Sequence, residues 1–227
     1  MRINTSFGGR LPRCGRHGGL RRHGLRDMIQ VFVGETRSRK LVARIVELGW
    51  GRIWIKGTPK PQPQELWAFD NGAYSAYLHG QNFPEEAFLK RYAKAQTVET
   101  VPYLAVLPDI VAGGVDSLAF SLKWRDRLND WPWYLAVQDG MVPDDVIRYH
   151  NHFAGIFLGG TDSYKPMARQ WRTFADVFGL GFHYGRAGTP KKLTLAIQSK
   201  ADSCDSSYPL WTMERFDTFA SYWKEHA

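Results

Sequence analysis

From Met28 onward, short apolar runs alternate with longer amphipathic stretches. The runs are Ile29–Val33, Arg52–Ile55, Leu66–Asp70, Tyr103–Leu107, Trp133–Gln138, Gly155–Leu158, Phe182–Tyr184 and Ala201–Asp205. All are of strand length and too short for helices. Between the first two, Leu41, Ile45 and Leu48 recur at helical spacing, which predicts a helix over 38–48. Similar stretches predict helices over 84–96, 115–128, 143–152, 165–178, 191–199 and 213–224. Pro143 and Pro190 suit first helical turns, where the missing N–H has no partner to lose. The second and third runs are separated by Pro59, Pro61 and Pro63, so no helix is expected there.

Strands that alternate with helices pair in parallel through right-handed crossovers. Eight such units predict an α/β fold, a compact and irregular (β/α)8 TIM-like barrel, formed as one domain over 28–227. An open doubly wound sheet is the alternative, disfavoured because no glycine-rich phosphate loop follows the first strand.

The charge is lopsided. Residues 1–27 hold seven arginines against one acid, and so carry +6 of the formal net charge of +8. This segment is rich in glycine and lacks periodic apolar residues, as a flexible arm would be. Mobile arginines of this kind raise non-specific affinity for nucleic acid by releasing counterions; an unfolded leader without function is the other reading. The chain contains two cysteines, Cys14 and Cys204. These are too few for a disulfide framework or, alone, a four-ligand structural zinc site, so no zinc site of that kind is expected. No apolar run is long enough for a membrane helix, and the N-terminus lacks a secretory core, which places the protein in a reducing cytoplasm.

Polar groups gather where strands end, at Asp70, Asp109, Gln138, Gly159-Gly160, Tyr184 and Asp205. In a barrel these ends converge on one mouth. Two carboxylates there suit displacement at a sugar carbon, one attacking while the other handles the proton. A third, beside an amide and backbone N–H groups, suits a guanine-like base.

The run Tyr184-Gly185-Arg186-Ala187-Gly188-Thr189-Pro190, followed by Asp202-Ser203-Cys204-Asp205, resembles the signature of tRNA-guanine transglycosylases. Further blocks follow the same order. Phe69-Asp70-Asn71-Gly72-Ala73-Tyr74, Pro108-Asp109, Val137-Gln138 and Leu158-Gly159-Gly160 are similar to segments that hold the acid/base and the purine in that family. The family's cysteine-rich zinc module has no counterpart after Cys204, and Ser206–Trp211 replaces an arginine-containing segment. These departures resemble the DNA-modifying, DpdA-like branch of bacteria and their phages.

The resemblance implies a DNA guanine transglycosylase, which exchanges guanine in DNA for a 7-deazaguanine such as preQ0. It implies Asp205 as nucleophile and Asp70 as general acid/base. Asp109, Gln138, Gly159 and Gly160 would bind the base, with Asn71, Tyr74, His183 and Tyr184 as pocket walls. The target guanine must be flipped out or single-stranded. Lys165, Arg169, Arg186, Lys191 and Lys192 are candidates to grip phosphates on the rim. The partners implied are DNA and the free deazaguanine base, with an accessory duplex-opening protein, no membrane, and a monomeric enzyme in the cytoplasm (the host's, if phage-encoded). A tRNA-directed enzyme without the zinc module and a non-catalytic nucleic-acid-binding barrel remain the alternatives.

Overall fold

A computed structural model of the protein describes residues 28–57 and 59–227. The arm expected over residues 1–27 lies outside the described residues. Eight parallel strands close into one barrel in sequence order: β1 (Gln30–Val33), β2 (Gly51–Trp54), β3 (Trp67–Phe69), β4 (Leu104–Val106), β5 (Trp133–Val137), β6 (Gly155–Leu158), β7 (Gly181–Tyr184) and β8 (Ser203–Ser206). β8 returns to β1, with Phe32 opposite Asp205. The expected (β/α)8 barrel is therefore the fold.

Helices cover the outside: α1 (Arg39–Glu47), α2 (Ala73–Leu78), α3 (Glu85–Ala95), α4 (Gly114–Arg125), α5 (Pro143–Val146), α6 (Ala168–Phe178), α7 (Pro190–Gln198) and α8 (Met213–His226). Ser38, Thr189 and Thr212 cap α1, α7 and α8 by accepting the amides of Leu41, Lys192 and Arg215. The helix expected over 143–152 is α5 for one turn and then a 3-10 helix, Ile147–His152. α2 is absent from the sequence reading because its six residues are too few to show a period. No helix among the described residues is long and apolar enough to cross a membrane.

The proline-rich segment links β2 to β3 without a helix, as expected. It is fastened by a buried ion pair. Arg52 Nε and Nη2 reach Glu65 Oε1 and Oε2 at 2.6 and 2.7 Å, and Nη2 also donates to the Lys60 carbonyl. The bidentate geometry satisfies both charges away from water.

The strands' period of two sorts side chains into two layers. Val31, Val33, Phe69, Leu135, Leu158, Phe182 and Tyr184 pack outward under the helices. Phe32, Ile53, Ala68, Leu104, Val106, Tyr134, Ala136 and Phe157 fill the barrel. Glycines make room for this aromatic filling. A Cβ on Gly155 would collide with the Tyr134 ring, and one on Gly181 would collide with its hydroxyl. Tyr134 thus spans the barrel floor, where Phe32 packs on Tyr103 with ring centroids 5.3 Å apart.

Candidate active site

The inward phase of each strand carries on past its last residue. Asp70 follows Ala68 by two positions, Gln138 follows Ala136, and Gly159 follows Phe157, while Asp205 lies on β8 two positions beyond Ser203. This parity aims them at the mouth. There they line a single cavity of about 860 Å³, together with Asn71, Tyr74, Asp109, Gly160, Arg186 and Lys192. That volume lies within the usual range of small-molecule sites.

Asp205 is held on one oxygen. His183 Nε2 and the Arg186 amide both approach Oδ1 at 3.0 Å. His183 is fully buried inside the barrel, stacked on Phe157 with ring centroids 4.6 Å apart, and its Nδ1 meets Ser203 Oγ at 2.8 Å. With Nε2 as donor, the ring orients the carboxylate. Among the described residues no donor takes Oδ2. Burial by itself would raise this carboxyl, but the His183 bond and charge, the Arg186 amide and the Lys165 charge outweigh it, so Asp205 lies below its ordinary value.

Asp70 behaves in the opposite way. Burial, the negative charge of Asp205 and that of Glu35 push its carboxyl up to about 6, against the Gly72 amide and Arg91. Its Oδ1 accepts the Gly72 amide at 2.6 Å, and Gly72 takes the left-handed φ of +81° that this tight turn requires. Two residues the sequence reading missed hold the surroundings. Arg91, on α3, donates to the carbonyls of Ile55, Asp70 and Asn71. Glu35 accepts the amides of Ile55 and Gly57, at 2.6 and 3.0 Å, and that of Lys56. Neither belongs to an apolar run or a family block, so the only signal for either was its place in the barrel order.

Asp109 lies deeper. Its Oδ1 accepts Asn71 Nδ2 at 2.7 Å and its Oδ2 accepts Gln138 Nε2 at 3.1 Å. Burial pushes Asp109 up to about 7 against those two donors. Asn71, expected as a wall, is chiefly a brace; it also donates to the Leu107 carbonyl and accepts the Ala73 amide. Gln138 is 2% exposed and serves the same loop. Its nitrogen faces Asp109, the Ile110 carbonyl and Ser117 Oγ, and its oxygen accepts the Ala112 amide. Gly159 donates its amide to the Val137 carbonyl, whereas Gly160, at φ +71°, has no acceptor for its amide among the described residues. A Cβ at Gly160 would meet the Tyr164 ring at 2.5 Å.

Arg186 is a strap across the mouth. Its guanidinium lies 4.7 Å over the Tyr74 ring, donates to the Tyr74 hydroxyl at 2.9 Å and reaches the Gly160 carbonyl. Lys192 pairs with Asp162 at 2.8 Å on the same rim. Asp139 accepts the Thr161 amide and hydroxyl and ties two loops together.

Five expected site residues do not line the cavity: His183, expected as a wall, is buried behind Asp205 as its support, and four others lie elsewhere. Tyr184 is one position out of phase with His183, so it packs in the outer layer, away from the cavity. Lys165 is not a rim cation. It is buried, and its Nζ donates to the Leu158 and Gly185 carbonyls at 2.7 and 2.6 Å, closing the open ends of β6 and β7. Burial, followed by the Arg186 charge, brings it down to about 7. Arg169 and Lys191 are exposed and do not line the cavity. Among the described residues no cluster of three or more His, Cys, Asp or Glu is placed to hold a metal ion.

Chemically, the cavity offers one carboxylate kept ionised, one that exchanges its proton close to neutral pH, and a third held inside an amide network. Environments that push paired carboxyls apart are those that separate nucleophile from acid. Neither the protein-family models nor the curated proteins compared with this chain match it.

Proposed function

We propose that the protein is a guanine transglycosylase acting on DNA, exchanging guanine for a 7-deazaguanine through a covalent intermediate. The observation that supports this most is the opposed tuning of Asp205 and Asp70 in one cavity.

In this reading the base enters toward Asp109 and the Gly160 amide, and the sugar lies between Asp70 and Asp205. Oδ2 of Asp205 attacks C1′ of the deoxyribose, since both of its fixed contacts fall on Oδ1. The C1′–N9 bond breaks as the ester bond forms. Asp70, protonated on the oxygen not engaged by Gly72, passes its proton to the departing guanine. It then takes the N9 proton of the incoming base, whose nitrogen displaces Asp205 from C1′. DNA is chosen over tRNA on the resemblance to the DNA-modifying branch and on the missing arginine-containing segment at Ser206–Trp211.

The test is labelled-guanine exchange into single-stranded DNA and into RNA, run side by side. Exchange into DNA, loss of both exchange and a denaturant-stable protein–DNA adduct in Asp205→Ala, and blocked turnover in Asp70→Ala are expected. Full activity in Asp205→Ala would refute the proposal.

A further inference from the structure

A second cavity of about 400 Å³ adjoins the first, and Ile55, Lys56 and Ser75 line both. Its walls include Lys56, Arg91 and the imidazole of His79, and among the described residues no carboxylate lines it. The charges of Asp70 and Glu35 act on Arg91, but neither carboxylate lines this cavity, and Glu35 has its oxygens turned onto the amides of Ile55, Lys56 and Gly57. Three of the five N–H groups of Arg91 donate to carbonyls, which leaves two for another acceptor among the described residues.

Its position in the barrel is informative. Around the mouth, Asp205 on β8 and Asp70 after β3 are separated on one side by β4–β7, which carry the base-facing groups, and on the other by β1 and β2. A sugar held between the two carboxylates with its base toward Asp109 turns its phosphate-bearing side toward the β2 loop, where Lys56 stands. We propose that this second cavity is a phosphate seat, in which Lys56, His79 and Arg91 receive the phosphate ester next to the guanine nucleoside in the main cavity. The inference rests on the exchange reading and adds where the substrate's backbone runs. The phosphate comes from a DNA strand or from a free nucleotide.

Lys56 is the residue to change, because Arg91 also braces the Asp70 loop. Exchange into a single-stranded oligodeoxynucleotide is measured across a salt series for wild type, Lys56→Gln and Lys56→Glu. Lys56→Gln should raise KM about three- to fivefold, as for an exposed ion pair, and Lys56→Glu more. The slope of log kcat/KM against log salt should flatten by about 0.7 for each single-strand phosphate no longer neutralised by the protein. Unchanged KM and slope in both variants would overturn the seat. In a second arm, dGMP and deoxyguanosine compete with the oligonucleotide for Asp205→Ala by fluorescence anisotropy. A Lys56-dependent preference for dGMP assigns the seat to a free nucleotide; Lys56-dependent binding of the oligonucleotide alone assigns it to the strand. If wild type exchanges no base but Asp205→Ala binds the oligonucleotide in a Lys56-dependent way, the exchange reading fails and the seat stands.

Discussion

Replacing His183 with Phe tests the internal support of Asp205 most directly. An aromatic ring remains to stack on Phe157, slightly larger than the imidazole, but both nitrogens are lost. Asp205 Oδ1 then retains only the Arg186 amide, and Ser203 Oγ loses its 2.8 Å partner inside the barrel. A hydrogen bond to a charged group contributes about 1.5–3 kcal/mol, and a buried hydroxyl left unpaired costs about 1–3 kcal/mol. A loss of about 2.5–6 kcal/mol is therefore expected near neutral pH, or a fall in Tm of roughly 5–20 °C for a domain of this size.

The pH dependence separates this from a packing defect. Asp205 lies below its ordinary value when folded, so its contribution is present above that value and is lost as pH falls through the folded one. The gap between wild type and His183→Phe should narrow in that acid window. Urea midpoints between pH 3 and 8, combined in a double-mutant cycle with Asp205→Asn, measure it, with an expected coupling of about 1.5–3 kcal/mol. A gap that is constant across pH, together with a cycle additive within about 0.5 kcal/mol, would refute the account of His183.

Three further outcomes follow from the geometry. Asp70 titrates near 6 when folded, above its ordinary value, so its ionisation destabilises the fold above that pH. Asp70→Asn should raise the thermal midpoint at pH 8, with the gain gone by pH 4, and should lower kcat for base exchange at least about 100-fold. Lys165 is brought down to about 7 by burial, so its charging weakens the fold below its ordinary value. Wild type should therefore gain stability over Lys165→Met as pH rises from 7 to 10, while the salt dependence of DNA binding is the same in both. Gly181→Ala drives a methyl into the Tyr134 hydroxyl and should cost about 1–3 kcal/mol, with Tyr134→Leu recovering much of it in the same background. Chemical denaturation of the four proteins measures that rescue.

The barrel was legible because strand and helix periods alternate without interruption and the one helix-free connection is marked by three prolines. The candidate site was legible only as far as parity and position carry. Asp70 and Asp205 lie in phase with inward residues, and the same count would have turned Tyr184 outward. Lys165 was not legible. A lysine at the start of a helical stretch usually reaches water, and only the folded loop shows two strand-end carbonyls waiting for it. Arg91 and Glu35 act on backbone groups of distant loops, a relation with no periodicity to detect.

The floor made by Tyr134, Tyr103 and Phe32 turns the barrel into a blind cup. Anything that enters must leave by the same opening, under the bridge that Arg186 makes to Tyr74. For base exchange this imposes ping-pong order. In the proposed exchange the expelled purine would have to vacate the cup before its replacement descends, and meanwhile an ester bond to Asp205 would keep the strand from drifting away.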